Sequence, residues 1–470
     1  MGVESTVKAL PDDSVKKKPV NLRPEEGSRQ PTGNSAIIQD AQAFPKALDA
    51  FYLKLLNETP GGNPEQNPQH FTDIEEGPYV ALPYDPNFVE DPALWQACDP
   101  RNASFSVERD RLCQKYLVNL NNMRYLQAMS SKLLEARTIK LKIHYAHGNL
   151  KAIAKISQYN FVYEAVSEST AHAYDRVLNY FRIPITVLTP LPLDFMRAAA
   201  SHSPLFSQWF HRHVVLYNFT REKFVSCEYY GYENITAREP QPMGAMVSVQ
   251  VWMNDVHELL DTFLALPFRY DESFEKKYYV PGHPIFQDMK RARLRSIGEL
   301  QDRFIFDFII GNTDRGMEGH NCFVYGGCSA NTKCSMMKTE DRIYGLAKYA
   351  YLDHGSTFHS HNEPEQNPFS GDASRIQICR FRKSTFKKLK RYESRKENPF
   401  PLLESVGKRI DTAVFRIIYD SVFRKTQTRL NKVVFIMENC LQKYPKEEVF
   451  SIPDYDEVRI AEEDITLSDD

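Results

Sequence analysis

The chain has 470 residues, more than one ordinary compact domain, so two lobes or domains are expected. Its 59 basic and 61 acidic residues give a net charge of -2, which excludes a strong overall attraction to nucleic acid or to an anionic membrane. The hydrophobic content of 42% is typical of a globular protein, and no apolar run approaches the ~18 residues that span a bilayer. We therefore expect no nucleic-acid partner and no transmembrane segment.

The first part of the chain carries few periodic segments. Residues 1–45 are polar and contain prolines, which predicts a disordered N-terminal arm. Residues 46–137 are expected to form an extension of helix and loop. Within it, we predict a short helix at 46–56, a loop-like stretch over 60–102 and a helix over 107–135.

Alternating apolar residues indicate strands in the next segment. Residues 139–143 and a second strand through Ile156 predict a β-hairpin. A helical period follows over 168–180, and a further alternating run at 246–252 predicts a buried strand. We expect residues 138–253 to form a β-rich lobe.

The rest of the chain is mainly helical in period. We predict helices from Val256, over 286–310 and over most of 384–443, with a short strand at 347–352. Residues 254–444 are therefore expected to form a helical lobe. Residues 445–470 carry several acidic residues and predict a mobile tail.

Four charged residues follow these elements in the order that phosphoryl transfer uses. Lys155 lies on the second hairpin strand, Glu168 opens the next helix, Asp314 follows the long helix and Asp353 ends a strand. Phosphoryl transfer needs a cation on the phosphates, a carboxylate that orients it, a carboxylate near the attacking hydroxyl and another on the metal. Each residue alone is at least as well explained as a solvated strand lysine, a helix N-terminal acid or a turn residue. Their joint order predicts an ATP-dependent kinase.

The segments around these residues resemble a known family. The matching segments are 150–155, 308–315, 352–355 and 378–385. Over roughly 138–395, the chain is similar to the secretory-pathway kinases, the family of the Golgi casein kinase, the glycosaminoglycan xylosylkinase and, more distantly, the four-jointed kinases.

The resemblance implies an α+β fold, a bilobal protein-kinase-like arrangement with a β-rich N-lobe and a mainly helical C-lobe. It implies that Lys155 contacts the phosphates of ATP and that Glu168 pairs with this lysine or helps to hold metal. Asp314 would be the catalytic base, and Asp353 would bind Mn²⁺ or Mg²⁺. Lys142, on the first hairpin strand, is a further candidate for nucleotide binding.

The catalytic loop departs from the family pattern. The family continues Asp-Arg with His-His-Tyr-Glu, whereas here Arg315 is followed by Gly-Met-Glu-Gly-His-Asn. Glu318 and Asn321 are both open as the extra metal ligand, and Asn321 is included in the predicted metal site. The chain also has no G-x-G-x-x-G motif, so no phosphate-covering loop can be assigned by pattern.

Two signals disagree about the compartment. Eight cysteines and four Asn-x-Ser/Thr sites, at Asn57, Asn102, Asn218 and Asn234, favour a Golgi-lumenal or secreted protein. The start Met1-Gly2-Val3-Glu4 lacks the features of a signal peptide. A cytoplasmic protein with buried thiols is the alternative.

The acceptor stays open between a protein serine and a proteoglycan xylose. Residues 312–316 also resemble the catalytic loop of type II phosphatidylinositol 4-kinases, which makes a lipid kinase one alternative. The altered residues after Arg315 leave a second alternative, a nucleotide-binding pseudokinase that activates a partner. A pseudokinase partner or a homodimer is a possible assembly.

Overall fold

Strands dominate the first half of the described chain and helices the second half. The structure is a computed structural model. It describes residues 76–98, 106–129, 140–147, 150–158, 162–201, 210, 214–218, 223–226, 243–253, 256–258, 272–287, 291–315, 323–325, 348–359, 363–410 and 412–454.

A large antiparallel sheet forms the first half. Its strands are β1 (Glu76–Ala81), β2 (Met123–Met129), β3 (Lys140–Tyr145), β4 (Lys151–Ile156), β5 (Thr186–Pro192), β6 (Val215–Asn218), β7 (Lys223–Ser226) and β8 (Met243–Val251). They are ordered β1-β2-β3-β4-β8-β6-β7, and β5 also pairs with β8. A smaller sheet contains β9 (Val256–Glu258), β10 (Phe323–Tyr325) and β11 (Lys348–Ala350) in the order β11-β10-β9.

Helices make up most of the second half and also occur between strands of the first half. They are α1 (Pro92–Ala97), α2 (Val107–Val118), α3 (Glu164–Val177), α4 (Leu193–Ser201), α5 (Glu272–Tyr278), α6 (Arg291–Ile310), α7 (Lys383–Arg391), α8 (Pro401–Gly407), α9 (Thr412–Ile417), α10 (Asp420–Lys443) and α11 (Lys446–Val449). This arrangement of strands before helices confirms the predicted α+β fold class.

Two separate hydrophobic cores correspond to the two halves. The side chains of Leu126, Ile143 and Val249 belong to the core of the sheet, while Ile309 and Phe423 belong to the core of the helical part. Helix α3 contacts strands β4, β5 and β8 as well as helices α6, α8 and α9. It therefore joins the sheet to the helical part.

The β-hairpin and the helix after it occur as the sequence predicts, with shifted bounds. Helix α3 begins at Glu164, one turn before the predicted start at Glu168, and ends at Val177. Asn179 then adopts a φ of 55°, a left-handed conformation that asparagine tolerates and that ends a helix. Because the helix begins early, it includes a second acidic side chain on the face of Glu168.

Three predicted elements are wrong in part. The helix over 107–135 stops at Val118, because the Asn119 side chain accepts from the Asn121 backbone N–H and starts a turn, after which β2 forms. The segment predicted as a loop contains β1 and α1. Residues from Val256 form strand β9 rather than a helix, since they pair with β10. The predicted helix at 46–56 lies outside the described residues.

The two outer domain bounds also differ from the prediction. Strands β1 and β2 pair with β3 in one sheet, so the extension over 46–137 contributes to the β-rich part. At the other end, Val449 and Ile452 are buried, and the Phe381 N–H donates to the Val449 carbonyl at 2.7 Å. The first ten residues of the predicted mobile tail are therefore packed against the helical part, while residues 455–470 lie outside the described ranges.

Two disulfides connect described cysteines. Cys98 of the turn after α1 bonds to Cys113 of α2, and Cys379 bonds to Cys440 of α10. The glycosylation site predicted at Asn218 is fully buried in β6, so the folded chain does not present this side chain. Across the described ranges, no helix combines the length and apolar character needed to cross a bilayer.

Candidate active site

Three charged side chains from three elements meet near the C-terminal end of the interior strand β4. The Nζ of Lys155 on β4 bonds to Oε1 of Glu168 on α3 and, at 2.5 Å, to Oδ1 of Asp353 after β11. Lys155 and Glu168 are 5% and 1% exposed. The structure therefore brings together the three residues that the sequence predicts to handle phosphate and metal.

Local structure explains why these side chains converge. On β4, Ala152 and Ala154 face the core, and the alternation of a strand turns Lys155 to the other face. Asp353 has a φ of 62°, in the left-handed region that aspartate visits more readily than most residues. This backbone turn directs the segment after β11 toward α3, where Glu168 lies.

His354 also holds the Glu168 carboxylate in place. The His354 backbone N–H donates to Glu168 Oε1 at 2.8 Å, and its Nδ1 lies 3.3 Å from Oε2. Burial alone raises the pKa of a carboxyl, but the charge of Lys155 and the bond from His354 outweigh it and lower the pKa of Glu168 to about 2. Glu168 is therefore ionised, and its position is fixed by two residues. His354 is a site residue that the sequence analysis did not assign.

The charges of the cluster also determine the ionisation states of Lys155 and Asp353. Burial lowers the pKa of Lys155, but Asp353 and Glu168 outweigh this effect and raise it above its usual value. Burial raises the pKa of Asp353, and the attraction of Lys155 outweighs it and lowers the pKa below its usual range. The lysine is therefore a cation between two carboxylates, and these three groups together carry one negative charge.

Glu164 is a fourth side chain of the cluster, and the sequence analysis missed it. It lies one helical turn before Glu168, so both face the sheet, and its Oε1 is 3.9 Å from Lys155 Nζ. Both of its carboxyl oxygens are buried without a hydrogen-bond partner. Burial, followed by repulsion from Asp353 and Glu168, raises its pKa to about 8 despite the attraction of Lys155. The helix start at 164 was the signal that could have identified it.

The segment after Asp353 packs closely against the Glu164 side chain at Gly355. A Cβ at Gly355 would lie 3.0 Å from Glu164 Cγ, which is closer than most such contacts allow. Glycine at this position therefore permits the backbone after Asp353 to approach helix α3 closely. This approach brings Asp353 into the cluster.

Lys142 and its neighbour Lys140 share a face of β3. Lys140 is directly opposite Lys155 in the hairpin register, and its charge lowers the pKa of both Asp353 and Glu164. The predicted residue, Lys142, lies two residue pairs further along, opposite Ile153, with its Nζ 4.8 Å from the centre of the Trp252 ring. Lys140, which the sequence analysis did not assign, is therefore the second lysine of the cluster.

The loop of Asp314 is tied to the loop of Asp353. Arg315 donates from Nη2 to the Leu352 carbonyl, and the Thr313 hydroxyl donates to the Ser356 carbonyl at 3.2 Å. The Asp314 side chain between these two anchors is exposed. The two loops thus run beside each other, with Asp314 presented to solvent.

The buried side chain of Asp307 bonds to two residues of the same loop. Asp307, on the last turn of α6, is 3.0 Å from Arg315 Nε and accepts from the Asn312 side chain at 3.3 Å. Asn312 in turn accepts from the Asp314 backbone N–H at 3.1 Å. The abrupt change from an apolar helix to polar residues, visible in the sequence, therefore corresponds to a loop with fixed side chains. Asn321 and Glu318, the candidates for an additional metal ligand, lie outside the described residues.

Comparisons with known proteins give structural matches at low identity. No family model matches the chain, and no curated protein matches it. A crystal structure of the Golgi casein kinase is 19% identical, with 79% of this chain and 86% of that chain covered and a TM-score of 0.44. The Golgi casein kinase with Mn/ADP bound is 17% identical, with 85% and 91% covered and a TM-score of 0.45. Hydra Fam20 with sugar is 16% identical, with 78% and 99% covered and a TM-score of 0.43. The chain is thus similar to solved structures of the kinases that its sequence resembles.

Proposed function

We propose that this protein is an ATP-dependent kinase that transfers the γ-phosphate to a hydroxyl group. The observation that carries the proposal is Lys155, on a strand, held between Glu168 of a helix and Asp353 of a loop that follows a strand. A lysine paired with a helix carboxylate, beside a carboxylate that can hold metal, is the arrangement that protein kinases use on ATP. This arrangement forms only when the strand of Lys155, the helix of Glu168 and the loop of Asp353 are all in place.

Lys155 would bind phosphate oxygens of ATP, and Glu168 would hold the lysine in position. Glu168 suits the second role because Lys155 and the His354 backbone N–H both bond to its Oε1. Lys140, opposite Lys155 in the hairpin, supplies a further cation beside the same space. Two lysines on one face of the hairpin would offset the charge of a triphosphate.

A divalent cation, Mn²⁺ or Mg²⁺, would supply charge neutralisation at the phosphates. Within the described part of the chain, no three His, Cys, Asp or Glu side chains form a closed metal site. Such a site is not needed, because one or two carboxylates suffice when phosphate oxygens and waters complete the coordination. Asp353 is the first carboxylate. We propose Glu164 as the second carboxylate, since its two oxygens have no hydrogen-bond partner, whereas Glu168 already bonds to Lys155 and to the His354 backbone N–H.

Asp314 would act on the acceptor hydroxyl. Its exposed carboxylate lies in a loop joined to that of Asp353, so an acceptor can reach it from solvent. As the acceptor oxygen bonds to the γ-phosphorus, its proton passes to the Asp314 carboxylate. The bond from the γ-phosphorus to the oxygen shared with the β-phosphate breaks, and ADP leaves.

The acceptor is proposed to be a serine of a secretory-pathway protein or a xylose of a proteoglycan. Two disulfides between described cysteines support an oxidising compartment, because such bonds are rare in the cytosol. The Golgi lumen or the extracellular space is therefore the proposed location.

A transfer assay with labelled ATP tests the function. The purified chain is incubated with Mn²⁺ or Mg²⁺ and, in separate reactions, with a serine peptide, a xylosylated acceptor and phosphoinositide vesicles. Transfer to the peptide or the xylosylated acceptor is expected. Transfer to the vesicles alone would identify a lipid kinase, and nucleotide binding without transfer to any acceptor would identify a pseudokinase. Either result overturns the proposal.

A further inference from the structure

An ion pair connects the C-terminal end of helix α3 to helix α2 of the N-terminal extension. Arg176, on the last turn of α3, donates from Nε to Asp110 Oδ2 of α2 at 2.5 Å, and both side chains are buried. Arg176 also bonds through Nη1 to Asp175, whose other oxygen accepts from the Arg182 backbone N–H at 2.9 Å. The guanidinium is therefore fixed between two carboxylates.

The ion pair lies on the same row of α3 as the active-site carboxylates. Glu164, Glu168, His172 and Arg176 follow one another at intervals of four residues, which places them along one side of the helix. His172, between the two ends of this row, lies 3.7 Å from the same Asp110 oxygen. Because a helix moves as a rigid body, a shift at Arg176 displaces Glu168.

Apolar packing between α2 and α3 is interrupted beside the ion pair. A cavity of about 310 Å³ lies there, lined on α2 by Asp110 and Gln114 and on α3 by Ser169, His172 and Arg176. A gap of this size removes dispersion contacts between the two helices. The bond from Arg176 to Asp110 therefore carries a larger share of their connection than it would in a closely packed interface.

Helix α2 is itself held in place independently of α3. Cys113 joins it through a disulfide to Cys98, at the end of α1, and Arg109 Nε donates to the Ala97 carbonyl at 2.9 Å. The Gln114 side chain donates to the Thr186 carbonyl of β5, also at 2.9 Å. Asp110 thus belongs to a rigid support that is attached to the sheet.

We propose that Asp110 is a positioning residue of the active site, which holds helix α3 through Arg176 at the place where Glu168 meets Lys155. The inference rests on the proposed function, because the pair of Glu168 and Lys155 matters for nucleotide binding. It assigns a role in nucleotide binding to an extension helix that contains none of the predicted site residues.

The test compares Asp110→Asn with Asp302→Asn. Asp302 is a matched control: it is 6% exposed against 5% for Asp110, and it also bonds to an arginine, Arg382, but within the helical part. The Kd for ADP with Mn²⁺ and the Tm are measured for both variants and the wild type. We expect Asp110→Asn to weaken ADP binding about tenfold. Asp302→Asn should lower the Tm to a similar extent and leave the Kd for ADP within about twofold of the wild type.

Two further variants keep the test decisive. Asp110→Glu preserves the charge and should restore the Kd to near the wild-type value. Should Asp110→Asn fail to fold, Arg176→Lys takes its place: it keeps the charge but not the two-sided guanidinium bonding, and it too should weaken ADP binding.

An unchanged Kd for ADP in Asp110→Asn, or in Arg176→Lys where that variant replaces it, overturns the positioning role alone. An equal loss of ADP affinity in Asp302→Asn does the same. A wild-type protein that binds no nucleotide overturns the proposed function and the positioning role with it.

Discussion

Arg315 donates a hydrogen bond from Nη2 to the carbonyl oxygen of Leu352, and this bond joins the loop of Asp314 to the residue before Asp353. The two carboxylates differ in their surroundings. Asp353 bonds to Lys155, whereas Asp314 is exposed. Their loss should therefore affect different steps.

Asp353→Asn should abolish metal-dependent nucleotide binding, since the amide cannot offset the charge of a divalent cation beside the phosphates. Calorimetry of ADP binding with and without Mn²⁺ measures the effect. Asp372→Asn is the control, because Asp372 is an exposed aspartate of a turn in the helical part. Wild-type affinity for ADP with Mn²⁺ in Asp353→Asn would contradict the assignment of Asp353 as a metal ligand.

Asp314→Ala should leave the Kd for ADP within about twofold and reduce phosphate transfer by roughly 10²- to 10⁴-fold, as expected for the loss of a general base. Single-turnover transfer and nucleotide binding are measured on the same preparation. An equal loss of binding and transfer would instead make Asp314 a structural residue of its loop.

Mn²⁺ affinity should rise with pH because Glu164 must lose a proton before it can bind metal. Its pKa is raised to about 8, so affinity should increase up to about tenfold per pH unit below pH 8 and level off above it. In the metal-free protein, the same group favours the folded state below the ordinary pKa of 4.5, and this contribution is lost as the pH rises to about 8.

Calorimetry of Mn²⁺ binding between pH 6 and pH 9 tests this expectation. Glu164→Gln should bind Mn²⁺ more weakly and lose most of the pH dependence. A variant with the same pH dependence as the wild type would show that another group releases the proton.

Lys140→Gln should weaken nucleotide binding by about three- to tenfold, because its charge acts on Asp353 and Glu164. Lys142→Gln is the matched control on the same face of β3, and it should have the smaller effect on the Kd for ADP. A larger effect of Lys142→Gln would favour the residue that the sequence predicts.

Removing the disulfide between Cys379 and Cys440 should destabilise the helical part. The bond spans 61 residues, and loop-closure entropy for that length corresponds to about 4 kcal/mol of unfolding free energy. Urea unfolding of a Cys379→Ala/Cys440→Ala double variant measures it. An unchanged midpoint would show that the bond does not contribute to stability.

The sequence predicted much of the fold where its patterns were local. The hairpin that carries Lys155 and the long helix before Asp314 have strong periods, and both occur in the structure. The contact of Lys155 with Asp353 could only be inferred by resemblance, because it joins residues 198 positions apart. Local periodicity contains no information about such a contact.

Glu164 and Lys140 show why the rest of the site was missed. The start of α3 carries no side-chain cap, so the usual signal for a helix beginning at residue 164 is absent. Lys140 became relevant only through the register of β3 against β4, which places it opposite Lys155. A sequence specifies register through the combined packing of both strands, and this cannot be read from either strand alone.

The burial of Ile452 has a consequence for the order in which the chain folds during synthesis. The helical core needs Val449 and Ile452, whereas the last strand of the large sheet is complete at Val251. About 200 residues separate these points, and a ribosome takes roughly 10 to 40 s to add them. The sheet can therefore form while translation continues, but Lys155 meets Asp353 only later, and the nascent chain should acquire its nucleotide site only after residues 449–452 have been made.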